Sequence, residues 1–128
     1  MIHPSRRAVI AGALALALAP VISPALAQDA RTGTFEGADA SHPAAGSATV
    51  EGGQIVFGDD FSMGEAPDPR VAFGSADAYA EGTDFAAVES LQGGQSFAIP
   101  EGVDPSQHEA VWLWCGAAGI PLGKALLN

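Results

Sequence analysis

The sequence predicts an all-β fold, an antiparallel β-sandwich or small barrel in a single domain. Three observations lead there. The chain carries 16 glycines and 9 prolines, and they recur every few residues, cutting it into short pieces. The apolar runs between the breaks are brief and often alternate with polar positions, the period of a strand with one buried face. Beyond the N-terminal segment no stretch sustains a helical period. Many short strands bounded by Gly and Pro are the pattern of sandwiches and small barrels.

The first twenty-seven residues read as an export signal. Ser5-Arg6-Arg7 precedes an apolar run from Ala8 to Ile22, Pro20 and Pro24 would break a helix there, and Ala25-Leu26-Ala27 is a small-x-small cleavage site before Gln28. The adjacent arginines Arg6 and Arg7 resemble a twin-arginine signal, which exports a folded protein. The run is too short and too broken for a membrane span, and no cysteine stands at the cleavage site for acylation. A periplasmic or secreted protein with no integral membrane segment after cleavage is expected.

Residues 28–32 then form a flexible lead-in, and residues 33–128 the β domain, beginning with a strand at Thr34–Glu36. The firmest unit runs from Ser47 to Phe57. Ala48 and Val50 alternate with Thr49 and Glu51, Gly52-Gly53 follows, and Ile55 and Phe57 alternate with Gln54 and Val56. Two glycines between alternating runs predict a hairpin with a primed turn, because such turns need positive φ at both central residues. Closing it there pairs Val50 with Ile55 and Ala48 with Phe57. Further strands are predicted at Arg70–Phe73, Phe85–Leu91 (alternatively a helical turn), Gln95–Ile99, Ala110–Cys115 and Ile120–Leu127.

Once the signal is removed, three basic residues face fifteen acidic ones, a formal charge of −12. Such a surface repels phosphate backbones and anionic lipid, which argues against nucleic-acid and membrane-surface binding. It suits solubility, and transient docking with a basic partner. No nucleophile elbow, paired His-carboxylate motif or phosphate-cradling loop occurs, so hydrolase and transferase chemistry have no support.

The one cysteine, Cys115, closes the run Trp112-Leu113-Trp114-Cys115. Exported proteins usually pair their thiols, so a single one is an apolar filler, a partner for another molecule, or a reactive or ligating sulfur. On a strand, Val111, Leu113 and Cys115 share one face, and Trp112 and Trp114 share the other. If the Cys115 face is the core, the thiol is a small hydrophobe and the tryptophans form a contact surface or line a groove. If the tryptophans face inward, Cys115 lies nearer solvent and open to oxidation.

Several stretches together resemble a known family. They include Gly33-Thr34-Phe35-Glu36, His42 with Gly46, Ile55-Val56-Phe57, Asp60-Phe61 and Pro67-Asp68 before Arg70-Val71-Ala72-Phe73. Gly94-Gln95-Ser96-Phe97, Val111-Trp112-Leu113-Trp114-Cys115 and Gly123-Lys124-Ala125-Leu126 complete the order. This order resembles the DM-thirteen domain, proposed as an electron-transfer module and found beside DOMON-type cytochrome domains in Skeletor proteins. The resemblance implies an all-β domain whose cysteine, matched by Cys115, works in redox chemistry as a bare thiol or by ligating a prosthetic group such as haem. The sequence departs from that pattern at His108, where an aromatic is usual, and at Ala117-Ala118 after the cysteine.

For haem, Cys115, His42 or His108 are the candidate ligands, although the c-type attachment motif is absent. Cys115, His42, His108 and Met63 also make up the ligand inventory of a blue-copper site. Those ligands usually gather on one C-terminal loop, and nothing after Cys115 can ligate, so copper is disfavoured. Asp59, Asp60, Glu65 and Asp68 offer oxygen ligands without EF-hand spacing and read as a solvated loop. Two functional classes remain. One is a periplasmic redox module acting through Cys115 on a partner with a basic docking surface. The other is a non-catalytic β domain for binding or envelope interaction, with Cys115 structural.

Overall fold

The computed structural model describes residues 30–128; the expected signal segment, with Arg6, Arg7 and Ala27, lies outside them. Ten strands follow one another: β1 Arg31–Gly37, β2 Ala44–Ala45, β3 Ser47–Glu51, β4 Gln54–Phe57, β5 Ser62–Met63, β6 Pro69–Gly74, β7 Ala86–Ala87, β8 Gln95–Ala98, β9 Ala110–Cys115 and β10 Ile120–Leu126. A short 3₁₀ turn, Pro105–Gln107, precedes β9. Eight strands form one antiparallel sheet in the order β7-β6-β9-β10-β1-β3-β4-β8, nearly closed into a barrel. The expected all-β fold is therefore present in its barrel form.

The β3–β4 hairpin has the register that its sequence dictates. Val50 pairs with Ile55 and Ala48 with Phe57, and Gly52 and Gly53 have φ of 58° and 79°, the positive angles of a primed turn. Its inward Phe57 meets Phe35, Phe61 and Phe97, with ring centroids 4.5–5.0 Å apart. A second group fills the other side of the core, with Val71 and Phe73 from β6, Val111, Leu113 and Cys115 from β9, and Leu122 and Ala125 from β10.

Two expectations differ by more than a residue in extent, and one ribbon was not expected. β1 begins at Arg31, paired with Val50, so Arg31 and Thr32 belong to the sheet rather than to a lead-in. The strand expected over Phe85–Leu91 shrinks to Ala86–Ala87. Beyond it the Gln95 side chain accepts from the amides of Glu89 and Ser90, which turns the chain out of the ladder. The ribbon of β2 with β5 had no signal, because two-residue strands are too short to show a period. That ribbon is tied to the connection between β7 and β8, with Met63 N donating to Leu91 O and Gly93 N to Phe61 O.

Candidate functional site

Strand β9 lies inside the sheet, between β6 and β10, so its two faces look into the barrel and out from it. Val111, Leu113 and Cys115 face inward, and Cys115 is only 1 % exposed. The neighbouring strand β10 carries a bulge between Pro121 and Gly123. One extra residue lets Leu122 point into the core beside Leu113 while Lys124 stays outside against Trp112 and Ala125 stays inside. Without that residue, everything after Pro121 would swap faces. At its ends Cys115 pairs with Pro69 on one side and Ile120 on the other.

Trp112 and Trp114 face outward, yet Trp112 keeps only 7 % of its surface. The connection between β6 and β7 folds back over the sheet and covers it. The Trp112 indole N–H donates to Ser75 O at 3.0 Å. The Lys124 ammonium sits 5.4 Å from the Trp112 ring centroid and donates to Ala76 O. Gly74 makes the fold-back feasible, since a Cβ there would collide with Ala78 O and the Trp112 indole nitrogen. Tyr79 stacks on Trp114 at 3.9 Å with the rings 13° from parallel. Its hydroxyl donates to Asp84 at 2.8 Å. Burial pushes the Tyr79 hydroxyl above its ordinary pKa, and the bond to the Asp84 carboxylate adds to the rise. Arg70, opposite Trp114, is held by Asp84 and Asp68 at 3.5 and 3.6 Å.

The outer face thus carries a groove of about 570 Å³ bounded by Tyr79, Trp112, Trp114, Pro121, Asp77 and Glu81. A smaller one of about 250 Å³ adjoins it across Trp112 and Pro121, toward Lys124 and Glu36. Cys115 lines neither groove. Sequence reasoning singled out Trp112 and Trp114 but missed Tyr79, Asp77, Glu81 and Pro121. Their one signal was that Tyr79 is the only tyrosine of the chain; a covering loop shows no period.

The histidines stand elsewhere. His108 precedes β9, stacked on Phe73 with centroids 5.2 Å apart, and its carbonyl accepts from Arg31 at 2.9 Å. Cys115 closes the other end of that strand, which spans about 17 Å. The His42 ring is bonded to Asp39 at 2.8 Å in a surface turn, and this bond holds the Asp39 carboxyl below its usual range. Among the described residues no three His, Cys, Asp or Glu side chains gather as a metal site. A haem iron needs a ligand facing an open slot. Cys115 is packed in the core, His42 is tied to Asp39 and His108 lies flat on Phe73, so these three do not fit that group. In the acidic stretch, Asp60 accepts from the Ser47 amide and Asp68 pairs with Arg70.

Residues 34–127 match the model of the DM13 family, described as an electron-transfer domain. The chain belongs to the DM13 family. No curated protein and no solved structure matches it. In this DM13 domain the cysteine and the aromatic face are neighbours in sequence, Trp114 and Cys115, and look to opposite sides of one strand. The family's description supports a general redox role. Among the described residues no helix is long and apolar enough to cross a membrane.

Proposed function

We propose that this protein is an exported electron-transfer module, periplasmic or secreted, in which Cys115 is the redox-active group and a partner with a basic surface exchanges the electron. One observation carries the reading beyond the family match. The only thiol is enclosed by the barrel wall yet is one residue from Trp114, which reaches the surface. Burial shields the sulfur from thiol–disulfide exchange, which requires direct attack on it, whereas an electron needs no such access. The bare-thiol form is the one that these residues support. In it the Cys115 S–H bond breaks: one electron reduces the oxidised centre of the partner, the proton passes to water, and the thiyl radical that remains takes both back in the return step. The formal charge of −12 left once the signal with Arg6 and Arg7 is removed favours a basic partner, and the Arg6-Arg7 and Ala27 pattern supports export.

A cationic one-electron oxidant suits this acidic protein. Tris(phenanthroline)cobalt(III) added under argon is expected to be reduced by about one equivalent per chain, and only to background by Cys115→Ser. Equal consumption by both proteins refutes a redox role for Cys115. An absorption spectrum between 350 and 600 nm, recorded beforehand, reports any prosthetic group.

The second reading, a non-catalytic binding domain with a structural cysteine, is favoured by the burial of Cys115 in one layer with Leu113 and Val111, both 0 % exposed. It predicts background reduction of cobalt by both proteins.

A further inference from the structure

We infer that the groove of Tyr79, Trp112, Trp114 and Pro121 is the docking site for an arginine side chain of the partner protein. The inference rests on the electron-transfer reading for the partner's purpose, but its geometry stands apart from Cys115.

The floor is aromatic and held in place. Tyr79 and Trp114 are stacked, Trp112 is fixed by Ser75 O, and Pro121 is rigid by its ring. The faces of such rings attract cations. The fold already uses this attraction once, with the Lys124 ammonium over Trp112. The rim supplies the countercharge. Asp77 and Glu81 border the groove, are exposed, and have no ion-pair partner among the described residues. The two cations of this face are already engaged, Arg70 by Asp68 and Asp84 and Lys124 by Ala76 O.

What remains is an aromatic floor with unpaired carboxylates at its edge. A guanidinium fits both parts, because it lies flat on an aromatic face such as the side of Tyr79 away from Trp114 while forking to a carboxylate, and an ammonium does this less well. A neutral sugar would also stack, but it would make no use of the charge.

Trp112 and Trp114 are the only tryptophans, so intrinsic fluorescence reads the groove directly. The probe is tetra-arginine peptide, titrated into the purified protein at low ionic strength. A saturable change in emission is expected, weakened about tenfold by 0.3 M NaCl. In the Asp77→Asn/Glu81→Gln variant, which removes two exposed ion-pairing groups, the affinity falls about fivefold. Glu51→Gln/Asp59→Asn removes the same charge from the β3–β4 side of the barrel and leaves the affinity within about twofold. Both pairs are exposed, so folding is not at stake. Equal losses in the two variants, no saturable response, or binding of maltotetraose in place of tetra-arginine would overturn the inference.

The two proposals fail separately. Loss of cobalt reduction in Cys115→Ser with no arginine binding by the wild type removes the docking site and leaves electron transfer. Arginine binding without Cys115-dependent reduction does the reverse.

Discussion

Replacing Cys115 by serine and by alanine tests which way the thiol points. The side chain is buried in an apolar layer, two positions from Leu113, which pairs with Val71. The Cys115 carbonyl accepts from the Gly119 amide. A serine hydroxyl there enters the apolar cluster that holds Val71, Leu113 and Leu122, which costs about 1–3 kcal/mol. Alanine loses the sulfur's contacts but buries no polar atom, and costs about 1 kcal/mol. Serine is therefore the more damaging substitution, although it is closer in size to cysteine. With a urea slope of about 1–3 kcal/mol per molar, the serine variant's midpoint falls by about 1 M. Urea unfolding followed by tryptophan emission measures both variants. If both stay within about 0.5 kcal/mol of the wild type, as surface substitutions do, Cys115 faces solvent and the account of β9 is refuted.

Three further outcomes are expected. Tyr79 is the only tyrosine, so absorbance at 295 nm titrates it alone. Its midpoint should lie above the ordinary value of about 10 and drop toward it in Asp84→Asn; a midpoint at or below 10 contradicts the stack and the Asp84 bond. Because the native value is raised, the stabilisation from the protonated hydroxyl is complete below about pH 10 and is lost as pH rises through the native value. Gly53→Ala places a Cβ at φ 79° with nothing within 4 Å. The cost is pure backbone strain of about 1 kcal/mol, read as a Tm lower by about 4–8 °C; an unchanged Tm speaks against the primed turn. Replacing Arg6-Arg7 with Lys-Lys should abolish secretion, and unimpaired export would rule out the twin-arginine route.

The sequence revealed the fold where local chemistry was strict. Gly52-Gly53 between alternating runs left one register for β3 and β4, and the bounds of β9 followed from its apolar run. It was silent where the pattern was degenerate. Val111 to Cys115 is apolar on both faces, so a period of two could not choose between them. The choice is made by the β10 bulge at Leu122 and by the loop after Gly74. One extra residue and a fold-back leave no periodic trace. Phe85 to Leu91 looked like a strand because it is apolar, but the Gln95 side chain captures the amides of Glu89 and Ser90. The groove was half legible. Trp112 and Trp114 marked the face, while Tyr79, Asp77 and Glu81 come from a segment whose position only the tertiary fold determines.

The most direct test compares two rates for Cys115 on one sample of folded protein. One is its oxidation by tris(phenanthroline)cobalt(III), and the other is its alkylation by a maleimide. An electron can cross the barrel wall beside Trp114 and a maleimide cannot, so the account predicts prompt oxidation and alkylation that becomes prompt only in urea. Slow oxidation together with slow alkylation would leave Cys115 as packing alone and contradict the electron-transfer role.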